Sequence, residues 1–308
     1  MAGSIFDDLP QQGEPDLSGF QWLDLRHAVE QAPEPLDFVL PGFKSGTVGA
    51  LVSPGATGKT MLALQAAVTV SGGPDMLDFA SMDTAWRRTA GRVVFLTGED
   101  PADVLNGRFH AIGQRLNPAE REAMFENLSV APLVGRGADV MTLEWRRWIA
   151  GVTRDARLVV IDTLRRFHQL DENDGGHMAG LLAYMEQLCR ENSTTVLFLH
   201  HTSKAGALNG GDAQQASRGS SVLTDNARFQ ANLVGMTPEQ AKQFDVDENC
   251  RRNFVRLSFP KINYSAPIPD QWFRRRDGGL LEPAVLERGT FKSAKTGSFQ
   301  KGGDDERW

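Results

Sequence analysis

The residues with the clearest chemical capability lie in one run, Ser53-Pro54-Gly55-Ala56-Thr57-Gly58-Lys59-Thr60. Glycines ahead of a Lys-Thr pair form a loop that cradles phosphates. Gly55 and Gly58 permit turns that aim backbone N–H groups inward at an anion. The helix expected to start at the end of the loop adds its partial positive charge. Lys59 would reach the β- and γ-phosphates, and the Thr60 hydroxyl would ligate Mg²⁺. The chemistry implied is binding of ATP with Mg²⁺, followed by hydrolysis. The full pattern opens on glycine, and Ser53 departs from it. The Gly58-Lys59-Thr60 core in a strand-to-helix setting carries the signal.

Carboxylates stand where such a loop would need them. Asp162 follows the apolar run Leu158-Val159-Val160-Ile161. A carboxylate at the C-terminal end of a sheet strand faces the crevice where ligands bind, so Asp162 is expected to hold Mg²⁺. Alone it could simply cap the next helix; beside a phosphate loop it reads as a metal residue. Glu99 and Asp100 follow the run Val93 to Thr97. Glu99 is the candidate to orient or deprotonate the attacking water. Asp100, just before Pro101, fits a helix N-cap and is a further candidate metal ligand.

The elements that must position these groups are legible as short apolar runs alternating with amphipathic stretches. Strands are expected at Thr47–Val52, Val93–Thr97, Leu128–Ala131, Leu158–Ile161 and Thr194–His200. Helices are expected at Met61–Val70, Pro101–Leu116 and Met178–Glu191. Continuous apolar strands separated by helices imply an α/β fold with a mostly parallel sheet covered on both faces. After about Ala227 the pattern changes, and Phe229–Val234, Asn253–Phe259 and Gln271–Phe273 read as antiparallel strands. Residues 1–35, with four prolines and one possible short helix at Phe20–Val29, read as an N-terminal arm. Residues 36–285 read as the folded domain, and 286–308, rich in Gly, Lys, Ser and Asp, as a disordered tail.

Composition narrows the class. The 308 residues are 41% apolar and 23% charged, ordinary for a soluble globular protein. No apolar run approaches the ~18 residues of a membrane helix, and residues 1–15 carry no apolar leader. The two cysteines, Cys189 and Cys250, have no metal-ligand spacing and read as reduced thiols of a cytoplasmic protein. The net charge of −6 argues against a broad nucleic-acid-binding face. Any DNA contact must be a narrow basic channel. Two stretches qualify: Thr202–Ser221, with Lys204, Arg218 and four glycines, and the basic region Arg251–Arg276.

Several blocks together resemble the RepA-type replicative helicases of broad-host-range plasmids, RecA-like hexameric helicases related to DnaB. They are Leu36–Pro41, Gly46–Leu64, Gly98–Pro101, Ile161–His168, Phe198–His201, Gln215–Leu223 and Trp272–Arg275. The resemblance implies a RecA-like core and a ring-shaped homohexamer, with ATP at the interfaces and single-stranded DNA through the centre. It also implies 5′-to-3′ unwinding and partnership with other replication proteins. Lys59, Thr60, Glu99, Asp162 and one of His200 or His201, as γ-phosphate sensor, match the nucleotide site. Arg218 matches a position from which an arginine reaches a neighbour's ATP; Lys261 and Arg108 are the other candidate cations. The alternative is a RecA-like DNA-dependent ATPase that loads or switches without unwinding.

Overall fold

The computed structural model describes residues 21–201 and 221–287. The chain divides into two units, Met1–Leu36 and Asp37–Trp308. In the first, helix α1 (Leu25–Glu30) begins at Asp24, whose carboxylate accepts from the His27 N–H at 3.0 Å. No residue of α1 is buried, and Trp22, Leu23, Leu25 and Val29 are exposed.

The second unit opens with a short antiparallel pair, β1 (Phe38–Leu40) and β2 (Phe43–Lys44). Its remaining strands are β3 (Val48–Ser53), β4 (Val93–Thr97), β5 (Leu128–Pro132), β6 (Leu158–Asp162), β7 (Val196–His201), β8 (Phe229–Gly235), β9 (Phe254–Ile262), β10 (Gln271–Arg275) and β11 (Leu281–Ala284). They form one sheet in the order β11-β10-β9-β8-β3-β7-β6-β4-β5. From β5 to β8 the pairings are parallel; from β8 to β11 they are antiparallel. The sequence pattern placed Phe229–Val234 among the antiparallel strands. In the structure β8 pairs parallel with β3 and antiparallel with β9, so it is the joint between the two halves.

The helices of this unit are α2 (Lys59–Val70), α3 (Phe79–Met82), α4 (Ala102–Gly113), α5 (Pro118–Asn127), α6 (Leu143–Thr153), α7 (Gly175–Glu191), α8 (Ser221–Asn226) and α9 (Pro238–Gln243). Strand side chains alternate between two cores. Leu51, Val93, Phe95, Leu158, Val160, Leu197 and Leu199 pack with α2, α4 and α5. Ala50, Val52, Val94, Leu96, Val159, Ile161, Val196 and Phe198 pack with α6, α7 and α8. Each such buried aliphatic or aromatic side chain contributes about 1.5–3 kcal/mol relative to exposure. Helix α2 is buried along almost its whole length, which fits its continuous apolar sequence better than an amphipathic stripe would. The phosphate loop is thereby mounted on the two most deeply packed elements of the fold, β3 and α2.

Candidate nucleotide site

The C-terminal ends of β3, β7, β6 and β4 lie side by side and bring the expected residues to one edge of the sheet. Ser53 is level with His201, and Thr97 is level with Asp162. Between β3 and α2 the loop turns through Ala56 at φ 61° and Gly58 at φ 98°. The left-handed conformation at Gly58, where α2 begins, is one that a side chain would strain. Ser53 is buried, and its hydroxyl donates to the Pro54 carbonyl at 2.8 Å. The Thr57 hydroxyl donates to the same carbonyl at 2.9 Å. Serine at the opening position is therefore satisfied inside the loop.

Lys59 is buried at 4% exposure. Its Nζ donates to the His200 carbonyl at 3.3 Å and lies 3.2 Å from His201 Nδ1. Burial pushes its pKa down to about 8, against Asp162 and then Glu99, which favour the ammonium. Asp162 is fully buried, and neither carboxylate oxygen has a hydrogen bond of ordinary length among the described groups. Burial raises its pKa to about 6, while the Thr60 hydroxyl and then Lys59 act to lower it. A buried carboxylate without a firm partner, facing a hydroxyl, is the donor set a hard cation would satisfy. Thr60 and Asp162 thus fit Mg²⁺. Among the described residues no cluster of three or more His, Cys, Asp or Glu could hold a metal alone. Mg²⁺ usually completes such a site with phosphate oxygens and water.

Glu99 is drawn into the same cleft. Its Oε1 accepts from the Thr163 hydroxyl at 2.9 Å and lies 3.2 Å from His201 Nε2. Arg166 Nε is 4.0 Å away. Hydrogen bonds from His201 and Thr163 outweigh burial and hold the Glu99 pKa down at about 2. Gly98 makes this approach possible: its N–H donates to the Asp162 carbonyl at 2.7 Å, and a Cβ there would lie 2.6 Å from Arg166 Cβ. His201 therefore bridges the two groups. Lys59 donates to Nδ1, which leaves Nε2–H to donate to Glu99, the neutral tautomer. The His200 ring is buried, and burial, Lys59 and the nearby imidazoles push its pKa down to about 4. His201, rather than the His200 ring, joins the lysine to the carboxylate.

Other sequence candidates fall elsewhere. Asp100 Oδ2 pairs with Arg108 Nη2 at 2.9 Å, so each engages the other. Burial raises the Asp100 pKa and Arg108 opposes it. Lys261 donates to the Asp225 carbonyl and is level with Gln230, itself level with Ala50. It thus lies roughly 10 Å along the strands from the loop, at three residues of about 3.3 Å each. Arg218 and the rest of the glycine-rich stretch 202–220 lie outside the described residues, as does most of the tail. Thr163 and Arg166 stood within a matched block, but nothing in their types announced contact with Glu99. Gln65 was unremarked: its amide donates to the Leu281 carbonyl and accepts from the Leu281 N–H, both at 2.9 Å, fastening β11 to α2.

A phosphate loop on a strand–helix joint, with carboxylates at the ends of neighbouring parallel strands, defines a nucleotide-binding α/β protein. The sequence profile of the AAA domain matches residues 14–207, more than half the chain, and the chain belongs to that family. Its fold is that of the RecA-like ATPase core. One solved structure, an isolated ATPase domain, is similar with a TM-score of 0.53 at 15% identity, over 85% of this chain and 96% of that one. A DnaB-like replicative helicase, described with its interactions with primase, gives a TM-score of 0.55 at 16% identity, over 88% of this chain and 68% of that one. At these identities the likeness is one of fold. No helix among the described residues is long and apolar enough to cross a membrane.

Proposed function

We propose that the chain hydrolyses ATP with Mg²⁺ and uses the cycle to move along single-stranded DNA and separate duplex, as a ring-shaped homohexameric replicative helicase. The observation that carries the hydrolytic part is the chain of contacts Lys59–His201–Glu99 beside Asp162. It links the group that binds phosphate to the group that positions water. The helicase part is supported by the likeness of fold to a DnaB-like replicative helicase and by the resemblance of the Ile161–His168 and Gln215–Leu223 blocks to RepA-type plasmid helicases.

In this mechanism the β- and γ-phosphates take Lys59 from His201 and from the His200 carbonyl. Backbone N–H groups of residues 55–60 hold the phosphates, with the α2 N-terminus behind them. Bound Mg²⁺, held by Thr60 and Asp162, neutralises charge developing on the transferred phosphoryl group. Glu99 accepts a hydrogen bond from the attacking water and fixes its line of approach. At a pKa of about 2 it is a weak base while His201 and Thr163 donate to it. Release of the His201 imidazole from Lys59 frees that ring to turn, and Glu99 becomes more basic as the His201 donor is withdrawn. Hydrolysis competence is thus tied to phosphate binding. Arg218 of a neighbouring subunit would add positive charge at the transition state, and the 202–220 stretch would contact the DNA backbone.

The test is ATP turnover with and without single-stranded DNA, and unwinding of a forked duplex, across a salt series. DNA stimulation with unwinding, 5′-to-3′, is expected. Stimulation without unwinding favours the loader or switch. Neither effect removes the helicase reading. Lys59→Ala is expected to abolish turnover in a folded oligomer, and native mass with and without ATP and a short single strand measures the assembly.

A further inference from the structure

The back of the phosphate loop has its own cation. Arg275, at the end of β10, donates through Nη2 to the Thr57 carbonyl at 2.8 Å, and the Ala56 carbonyl lies 3.5 Å from the same atom. The loop can present N–H groups inward only if carbonyls such as these face outward. Ala56 holds φ 61° without being glycine, a conformation that costs on the order of 1 kcal/mol and persists only when its surroundings enforce it. A guanidinium on two consecutive outward carbonyls is such an enforcement, because charge-assisted hydrogen bonds are about twice as strong as neutral ones.

The arginine is itself well mounted. The β10–β11 hairpin is fastened to α2 through the paired Gln65–Leu281 hydrogen bonds. Glu282 binds Arg276 at 2.7 Å and Arg115 at 2.8 Å, so Arg275's neighbours are anchored as well. A guanidinium held from α2 to the loop that precedes α2 forms a short closed brace. We propose that Arg275 is a positioning residue for ATP: it holds the empty loop in its phosphate-receptive shape from behind, without touching phosphate. The proposal rests on the loop being the ATP site. A loop ordered before the ligand arrives spares the ligand the cost of ordering it.

The test is equilibrium binding of a fluorescent ATP analogue with Mg²⁺ and without DNA, on the full chain and on Arg275→Gln and Arg275→Lys. Arg275→Gln is expected to weaken binding about ten- to a hundredfold, the usual worth of a hydrogen bond to a charged group. Arg275→Lys, with no planar fork, is expected to lose several-fold. Turnover at saturating ATP should fall far less than KM rises. Hydrogen exchange at residues 55–58 of the empty chain should quicken in both variants while the hairpin's exchange stays unchanged. Should Arg275→Gln fail to fold, as judged by thermal melting, Arg275→Lys decides with the same two readouts. Unchanged binding and exchange in a folded variant overturn the proposal while the ATP site stands. Lost DNA stimulation with unchanged DNA-free binding also overturns it, assigning Arg275 to DNA. A parent chain that binds no ATP removes the proposal and the site together.

Discussion

Raising the pH tests the charge on Lys59 without altering a single contact. Burial depresses its pKa from the ordinary 10.5 to about 8, with Asp162 and Glu99 opposing. In the nucleotide-free chain Lys59 is then roughly nine-tenths charged at pH 7 and roughly one-tenth at pH 9. Triphosphate favours the ammonium, so the pKa in the complex is higher than in the free chain. The sign follows: affinity is complete below the free pKa and is lost as pH rises through about 8, up to the pKa of the complex. Between pH 7 and 9 the affinity should fall about tenfold, whereas a lysine at 10.5 would give a change of a few per cent. Phosphate's own last ionisation, near ~6, is complete before this window. Binding of a fluorescent ATP analogue from pH 7 to 9.5 at fixed ionic strength gives the profile. Calorimetry in two buffers of different ionisation heat should show about half a proton taken up at pH 8. Asp162→Asn removes the strongest influence favouring the ammonium and should move the fall to lower pH. A flat affinity to pH 9.5 without proton uptake would refute the claim that Lys59 is desolvated.

Two substitutions probe the neighbouring groups. Glu99→Gln should lower turnover about 10²–10⁴-fold, the range for a positioned acid–base group, while ATP affinity changes little; single-turnover hydrolysis beside equilibrium binding separates the two. Gln65→Leu leaves the Leu281 N–H and carbonyl without their buried partner. Urea denaturation should show a loss of about 2–5 kcal/mol, from two orphaned groups at about 1–3 each.

The parts of this molecule that could be read in advance share a physical cause. Strands such as Val93–Thr97 and Leu158–Asp162 are buried on both faces, so their sequences are apolar without interruption. The polar residue that ends such a run, Asp162, is forced to the sheet's edge. The two-residue β2 and four-residue β11 leave no periodic pattern to recognise. Sheet order was equally hidden, because β3 is followed in sequence by β4 yet sits between β7 and β8. Partners were less legible than positions. Thr163 meets Glu99 across 64 residues, and Arg275 meets Thr57 across 218. An arginine in a basic run looks the same whether it faces DNA or a carbonyl. Arg108 shows the converse, since its partner Asp100 follows the expected catalytic carboxylate directly.

The cleft's charges also decide what form of ATP it can accept. Asp162 and Glu99 face one lysine, and Asp162 is fully buried without a firm hydrogen bond. Bare triphosphate approaching two carboxylates meets repulsion that one ammonium does not cancel. A divalent cation reverses the balance by turning Asp162 from an obstacle into a ligand. At pH 7, where Lys59 is charged and Asp162 is largely ionised, chelation of Mg²⁺ should weaken ATP binding at least about tenfold, one pKa unit's worth of interaction. Asp162→Asn should then act with opposite signs, weakening binding with Mg²⁺ present and strengthening it when Mg²⁺ is chelated. Below about pH 6 the wild-type chain protonates Asp162, and its dependence on Mg²⁺ should fade. A purely structural Asp162 would lower both affinities alike, and that result would remove it from the metal site.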